Sequence, residues 1–171
     1  MNAVIVYESH WGNTEAVARA IAQGIGPGAR VMNTDEAIGS AVAKADLIVA
    51  GAPVIAFALP REGARKQIAA DVKAPTPPDV SHPLLRSWVN AQPAGHGWGA
   101  AFETRIWWSP RGATGAIEAR LKRAGYQRLA KSERFIVAGG DGPLRDGELE
   151  RARQWGAALA QALDSRQAGR T

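Results

Sequence analysis

The feature that most constrains the fold is an apolar run near the start of the chain, which leads through a polar loop into an amphipathic helix. The run is Ala3 to Tyr7, the loop is Ser9 to Thr14, and a helix is predicted from Asn13 to about Gln23. A helix beginning carries unpaired backbone N–H groups and the positive end of the helix macrodipole. Hydroxyl and amide groups there would hold a phosphate monoester. The alternative is a plain strand-to-helix turn capped by Asn13 or Thr14.

Strand-like and helix-like segments alternate along the rest of the chain. Strands are predicted at 30–33, 46–51 and 98–104, with a last strand in two pieces at 126–130 and 134–138. Helices are predicted at about 34–43, 61–72, 83–90, 113–124 and 147–163, whereas residues 73–81 contain three prolines and should be irregular. This alternation predicts a parallel sheet with helices on both faces. The loops after the first, third and fourth strands should meet at the carboxyl edge of the sheet, where such sheets bind ligands.

Length and composition set further bounds on the class of protein. The 171 residues predict one domain over 1–163, followed by a flexible tail over 164–171. The absence of cysteine excludes disulfides and thiolate metal sites, and the three histidines lack metal-ligand spacing. No signal peptide or membrane span is predicted, so a cytoplasmic protein that does not bind membranes is expected. The net charge of +5 favours anionic partners, but basic residues do not cluster with aromatics in the sequence, so nucleic acid is not expected.

The first loop is neither of the two common nucleotide-binding loops. It contains no lysine, which a triphosphate-binding loop requires, and it lacks the glycine spacing of a dinucleotide fingerprint. It does resemble the flavodoxin signature, at Ile5, Val6, Tyr7, Ser9, Gly12, Thr14, Ala18 and Ile21. The segments Ala101 to Arg105 and Gly142 to Glu148 resemble those of flavodoxin-domain proteins of the actinobacterial type. The resemblance extends to about Leu163.

This resemblance implies both a fold and a cofactor. The fold is an α/β, flavodoxin-like, doubly wound five-stranded parallel sheet of order 2-1-3-4-5, with helices on both faces. The cofactor is flavin mononucleotide (FMN), and the resemblance implies contacts in three loops. They are Ser9, His10, Trp11, Gly12, Asn13 and Thr14 in the first loop, Pro53, Val54, Ile55, Ala56 and Phe57 in the second, and Glu103, Thr104, Arg105, Trp107 and Trp108 in the third.

The second loop departs from the flavodoxin pattern. Flavodoxins usually have a polar residue such as threonine after the proline and then a glycine, whereas this chain has Val54 and Ala56.

The function that the resemblance implies is electron transfer through FMN, to a redox partner protein or a small-molecule acceptor. Two alternatives are left open. One is an NAD(P)H-dependent quinone or nitro reductase with residues 73–92 as a lid. The other is a flavin-free binding protein on the same fold. No catalytic side chain and no metal site is predicted.

Overall fold

A parallel sheet forms the centre of the computed structural model, which describes residues 1–169. Its strands are β1 (Ala3–Tyr7), β2 (Ala29–Asn33), β3 (Leu47–Pro53), β4 (Trp98–Ile106), β5 (Gln127–Arg128) and β6 (Glu133–Val137). The order is β2-β1-β3-β4, and both β5 and β6 pair with the outer edge of β4. The short β5 pairs with Trp98 and Gly99, and β6 pairs with residues 102–106. The predicted order is confirmed, and the sheet counts six strands because its fifth position is filled by two pieces.

Helices cover both faces of this sheet. They are α1 (Asn13–Ile25), α2 (Ser40–Ala43), α3 (Glu62–Ala69), α4 (Leu85–Asn90), α5 (Thr114–Arg123) and α6 (Glu148–Ala168). Alternate residues of β1 point to opposite faces, so Ile5 packs in the core under α1 and α6. Val4 and Val6 pack on the other side, with Trp88 of α4 and Ile117 of α5. This doubly wound arrangement confirms the predicted fold class.

Helices α1 and α6 cross in very close contact. A methyl group added at Gly24 would overlap the carbonyl oxygen of Arg153, and one added at Gly156 would overlap that of Ile21. Only glycine permits this approach of the two backbones. The crossing fixes α1 against α6 and therefore fixes the loop from which α1 begins.

The bounds of three helices differ from the prediction. Helix α2 begins at Ser40 rather than near residue 34. Helix α3 ends at Ala69 rather than near Val72, which is exposed and has no core to join. Helix α6 continues past Leu163 to Ala168, where the guanidinium of Arg166 lies 5.3 Å from the centre of the Trp98 ring. Flexibility of residues 164–171 stays a prediction, and positions 170 and 171 lie outside the described residues.

The start of α6 carries no side-chain cap among the described residues. Gly147 occupies the capping position, with φ of 83°. Glu148 accepts a hydrogen bond of 2.6 Å from the backbone N–H of Ile136 in β6. Over residues 1–169, every helix is too short or too polar to cross a membrane.

Candidate cofactor-binding site

Three loops meet at the carboxyl edge of the sheet around a pocket of about 200 Å³. Residues from all three predicted loops line it, namely Ser9, His10, Trp11, Asn13, Thr14, Pro53, Val54, Ile55, Ala56 and Thr104. Four lining residues were not predicted, namely Ile68, Ile106, Val137 and Gly140. Val137 ends β6 and Gly140 follows it. Both could have been predicted, because the carboxyl ends of parallel strands meet at one edge of the sheet. Ile68 lies within α3, where the sequence carries no such signal.

The first loop turns into α1 through a left-handed glycine. Gly12 has φ of 85°, and its backbone N–H donates to the hydroxyl oxygen of Ser9 at 3.1 Å. The side-chain amide of Asn13 reaches across to the carbonyl oxygen of Asp141 at 3.0 Å. The cap by Asn13 or Thr14, which the alternative of a plain turn predicts, is absent, since none of the described side chains caps the first turn of α1. The loop is therefore more than a capped turn, because its polar groups connect it to a distant segment.

Thr14 connects the first loop to β4. Its hydroxyl oxygen lies 2.8 Å from that of Thr104, and both residues are buried. The carbonyl oxygen of Thr104 also accepts a hydrogen bond of 2.9 Å from the backbone N–H of Val54. Thr104 thus holds the first and second loops together at the floor of the site.

The second loop is a tight turn in which two non-glycine residues have left-handed backbones. Ile55 and Ala58 exchange two backbone hydrogen bonds, of 3.0 and 3.1 Å. Ala56 and Phe57 between them have φ of 49° and 60°. This conformation costs a residue with a Cβ roughly 1–2 kcal/mol. The turn leaves Val54, Ile55 and Ala56 on the pocket as an apolar wall, while Phe57 lies outside it.

Glu103 and Arg105, predicted to contact the cofactor, do not line the pocket. The buried carboxylate of Glu103 accepts hydrogen bonds from the backbone N–H groups of Ala113, at 2.5 Å, and Thr114, at 2.9 Å. Arg105 pairs with that carboxylate at 3.2 Å and donates to the carbonyl oxygen of Ser109. Glu103 therefore provides acceptors for backbone N–H groups at the start of α5. Arg105 holds the preceding loop through its hydrogen bond to Ser109.

The two tryptophans of the third loop are exposed and also lie outside the pocket. The ring of Trp108 packs edge-on against Phe57, with ring centres 5.8 Å apart. Gly12 is the remaining predicted residue that shapes the loop without lining the cavity.

His10 lies between two acceptors beneath the pocket. Its Nδ1 is 2.7 Å from the carbonyl oxygen of Asp79, and its Nε2 is 3.1 Å from a carboxylate oxygen of Glu8. The other oxygen of Glu8 accepts from the backbone N–H of Leu85 at 2.8 Å. Burial alone would lower the pKa of His10, but the bond to Glu8, the bond to Asp79 and the Glu8 charge outweigh it and raise that pKa. The arrangement favours an imidazolium that donates from Nδ1 to Asp79 and forms an ion pair with the Glu8 carboxylate through Nε2.

The proline-containing segment of residues 73–81 is attached to the first loop through the same residue. The backbone N–H of Asp79 donates to the carbonyl oxygen of His10 at 2.7 Å, so the two residues are joined twice. The indole N–H of Trp11 donates to the carbonyl oxygen of Thr76 at 2.9 Å. The first loop is thus held from outside by this segment as well as from below by β4.

Comparison with solved structures identifies the fold as flavodoxin-like. A flavodoxin from the domain Archaea superposes with a TM-score of 0.65 at 21% identity, covering 96% of this chain and 99% of that one. Oxidised flavodoxin 1 from Bacillus cereus gives 0.66 at 16% identity, covering 94% and 98%. Rubredoxin oxygen:oxidoreductase from Desulfovibrio gigas gives 0.63 at 18% identity, with 98% of this chain matching 37% of that one. The sequence matches no protein-family model and no curated protein.

Proposed function

We propose that this protein binds FMN and transfers electrons through it. The observation that carries the proposal is the pocket itself, in which hydroxyl and amide groups at the start of α1 adjoin an apolar wall from two other loops. A ligand that joins a phosphate monoester to a planar apolar ring matches both parts of this pocket, the polar groups at the start of α1 and the apolar wall. The flavodoxin-like fold supports the same assignment.

The phosphate end of the site would use neutral donors. Ser9, Asn13 and Thr14 line the pocket beside the N-terminus of α1, and no lysine or arginine is among its described lining residues. Hydrogen bonds from hydroxyl, amide and backbone N–H groups, together with the macrodipole of a 13-residue helix, can bind an anion without a positively charged side chain. We assign the FMN phosphate to these three residues.

The flavin end would use the apolar wall. Val54, Ile55 and Ala56 from the second loop, with Ile106 and Val137 from β4 and β6, present apolar surface. The cavity of about 200 Å³ is smaller than typical ligand pockets, which begin near 300 Å³, so FMN would extend beyond it. When bound, FMN supplies the redox chemistry. The residues of the chain bind and orient it, and no side chain is required as an acid or base.

The reductase alternative receives less support from the geometry. It requires room for a nicotinamide and a substrate beside the flavin, and residues 73–92 were expected to open as a lid. In the structure, residues 73–81 are hydrogen-bonded to His10 and Trp11 of the first loop. We therefore propose a redox partner protein, rather than a small substrate bound over the flavin, as the electron acceptor.

The test is a pair of titrations with FMN and with riboflavin, which lacks the phosphate. Quenching of flavin fluorescence should show FMN binding, and riboflavin should bind at least about tenfold more weakly. Equal affinities would contradict the phosphate assignment, and no quenching by either flavin would support the flavin-free alternative. Steady NADPH oxidation by the FMN-loaded protein with a quinone would favour the reductase.

A further inference from the structure

Three aromatic side chains lie exposed beside the pocket. Trp107 is 64% exposed, Trp108 is 55% exposed and Phe57 is 37% exposed. Phe57 and Trp108 contact each other, which joins the second loop to the third. Tryptophan carries a large apolar area that is usually covered in a folded protein or in an interface. The pocket does not cover these residues, so they form an aromatic patch on the outer surface.

An arginine is fixed against the segment that follows this patch. The guanidinium of Arg86, on α4, donates from Nη2 to the carbonyl oxygen of Leu59 and from Nε to that of Pro60, both at 2.8 Å. Arg61 is the next residue after Pro60, and it is exposed. Two guanidinium groups from different elements therefore lie next to the second loop.

A third arginine, Arg120 on α5, lies close enough to repel these two. Burial, followed by the charges of Arg120 and Arg61, lowers the pKa of Arg86. Burial, followed by the charges of Arg123 and Arg61, lowers the pKa of Arg120. Arg120 also has a buried Nε without a hydrogen-bond partner, and it lines a cleft of about 290 Å³ between α4 and α5. Arg61, which precedes α3, Arg86 on α4 and Arg120 on α5 therefore lie close enough for their charges to interact.

Neighbouring carboxylates do not neutralise this group. Within residues 1–169, none of Arg61, Arg86 and Arg120 forms an ion pair. Glu62, next to Arg61, is paired with Arg65 at 2.7 Å. Glu8 attracts Arg86, but it is buried and bonded to Leu85. The group therefore keeps a positive charge toward solvent.

The aromatic patch, Arg61 and Arg86 lie beside segments that line the pocket, and Arg120 extends this positive charge toward the cleft between α4 and α5. Ala56 lines the pocket, and the five residues from Phe57 to Arg61 follow it directly. Four residue steps span at most about 14 Å, so Arg61 lies within that distance of Phe57. On the other side, Trp107 follows Ile106, which also lines the pocket. We refer to Phe57, Trp107, Trp108, Arg61, Arg86 and Arg120 as the aromatic–arginine surface.

We propose that the aromatic–arginine surface docks an acidic protein partner beside the cofactor pocket. Tryptophan and arginine are the residue types that dominate interface energies, and an unpaired positive group steers a negatively charged partner toward it. The identity of the partner as a redox protein, rather than a nucleic acid, rests on the proposed function, whereas the attraction of an acidic macromolecule does not. A nucleic acid is the competing anionic macromolecule. The position beside the pocket favours a protein, since electrons must leave the cofactor there.

The test uses one haem protein in two charge states. Native cytochrome c is basic, and succinylation of its lysines makes it acidic. Binding of each form is measured by calorimetry at low and at moderate ionic strength, with and without FMN. The variants are Arg61→Glu and Arg120→Glu, with Lys44→Glu as the control. Lys44 undergoes the same charge change but follows α2 at the opposite edge of the sheet.

Succinylated cytochrome c should bind more tightly than the native form, and added salt should weaken its binding. Each arginine variant should weaken binding at least about tenfold, while Lys44→Glu should change it less than about threefold. Equal losses in all three variants would reduce the effect to net charge and overturn the proposal. Tighter binding of native cytochrome c would also overturn it. So would a single-stranded oligonucleotide that binds more tightly than the succinylated protein and loses that binding in the arginine variants.

The two proposals can fail separately. Binding of succinylated cytochrome c without FMN, in a protein that takes up no flavin, would support the docking surface and contradict the proposed function. Normal FMN affinity with no preference for the acidic form of cytochrome c would support the proposed function and contradict the docking surface. Circular dichroism should show the same helix content in every variant.

Discussion

The hydroxyl oxygens of Thr14 and Thr104 lie 2.8 Å apart, although 90 residues separate them in the chain. Thr14 stands in the first turn of α1, and Thr104 stands near the end of β4. Either hydroxyl can donate to the other, which leaves one proton of the pair available for a ligand. The pair therefore joins two sides of the pocket and offers a donor within it.

Replacing Thr14 by valine should weaken FMN binding by about 1–3 kcal/mol, because a phosphate oxygen then lacks a partner in a buried site. Fluorescence titration of the variant measures this directly. The matched control is Thr34→Val, which removes another buried hydroxyl. The Thr34 hydroxyl donates to the carbonyl oxygen of Pro83 at 2.7 Å and does not line the pocket. If both variants bind FMN as the parent does, the phosphate does not lie at Thr14.

The raised pKa of His10 predicts a loss of stability as the solution becomes more alkaline. In the folded protein the imidazolium donates to Asp79 and forms an ion pair with Glu8, and in the unfolded chain its pKa returns to the ordinary value. The contribution is therefore complete below that ordinary value, about 6.5, and disappears as the pH rises through the higher folded pKa.

The measurement compares urea unfolding of the parent protein with that of His10→Asn between about pH 5.5 and pH 9. Asparagine does not titrate, yet its amide can still donate to the carbonyl oxygen of Asp79. The difference in unfolding free energy between the two proteins should shrink as the pH rises. A difference that stays constant across this range would show that folding does not shift the pKa of His10, and a difference that grows with pH would show that His10 is neutral in the fold.

Glu103 should act on stability and leave cofactor affinity unchanged. Glu103→Ala removes the acceptor of two backbone N–H groups and leaves Arg105 without its carboxylate. The expected loss is about 3–5 kcal/mol in the free energy of unfolding.

Chemical denaturation of Glu103→Ala and of Glu133→Ala tests this role. Glu133 pairs with Arg151 at 3.2 Å on the surface, and its removal should cost at most about 1 kcal/mol. FMN affinity, measured while each variant is still folded, should match that of the parent protein. A selective loss of FMN affinity in Glu103→Ala, without loss of stability, would return this residue to the cofactor site.

Gly156→Ala should push α6 away from α1, because the added methyl group would overlap the carbonyl oxygen of Ile21. Overpacking of this kind costs about 1–3 kcal/mol, and FMN affinity should fall as well, since α1 carries the first loop. Gly115→Ala in α5 is the control. Its methyl group meets no atom within 4 Å, and alanine favours helix, so stability should stay equal or rise by up to about 1 kcal/mol. Thermal melts and FMN titrations of both variants decide the matter.

The parts of the fold that follow local rules could be predicted from the sequence. The uninterrupted apolar character of Ala3 to Tyr7 predicts a buried parallel strand, and the polar loop after it predicts the start of α1. The last strand was also predicted in two pieces, and the structure has β5 and β6 there. The convergence of three loops followed from the topology alone, because parallel strands end at one edge.

The side-chain partners in the third loop could not be predicted in the same way. Glu103 and Arg105 were expected at the cofactor because the resemblance to flavodoxins implied it, and both lie near the end of β4. Side chains alternate between the two faces of a strand, and which neighbour each meets depends on tertiary packing. Glu103 reaches the backbone of Ala113 and Thr114, whose closeness follows from the path of the intervening loop. The end of α6 was missed for a similar reason. Its last turn is held by the contact of Arg166 with the ring of Trp98, which lies on β4, far away in the sequence.

The hydrogen bond from the Asn13 amide to the carbonyl oxygen of Asp141 spans 128 positions, more than the Thr14–Thr104 pair. Closing such long loops is a slow step in folding, so these pairs should form after the local turns and helices. A cofactor that needs both pairs would therefore recognise only chains that have completed the whole fold.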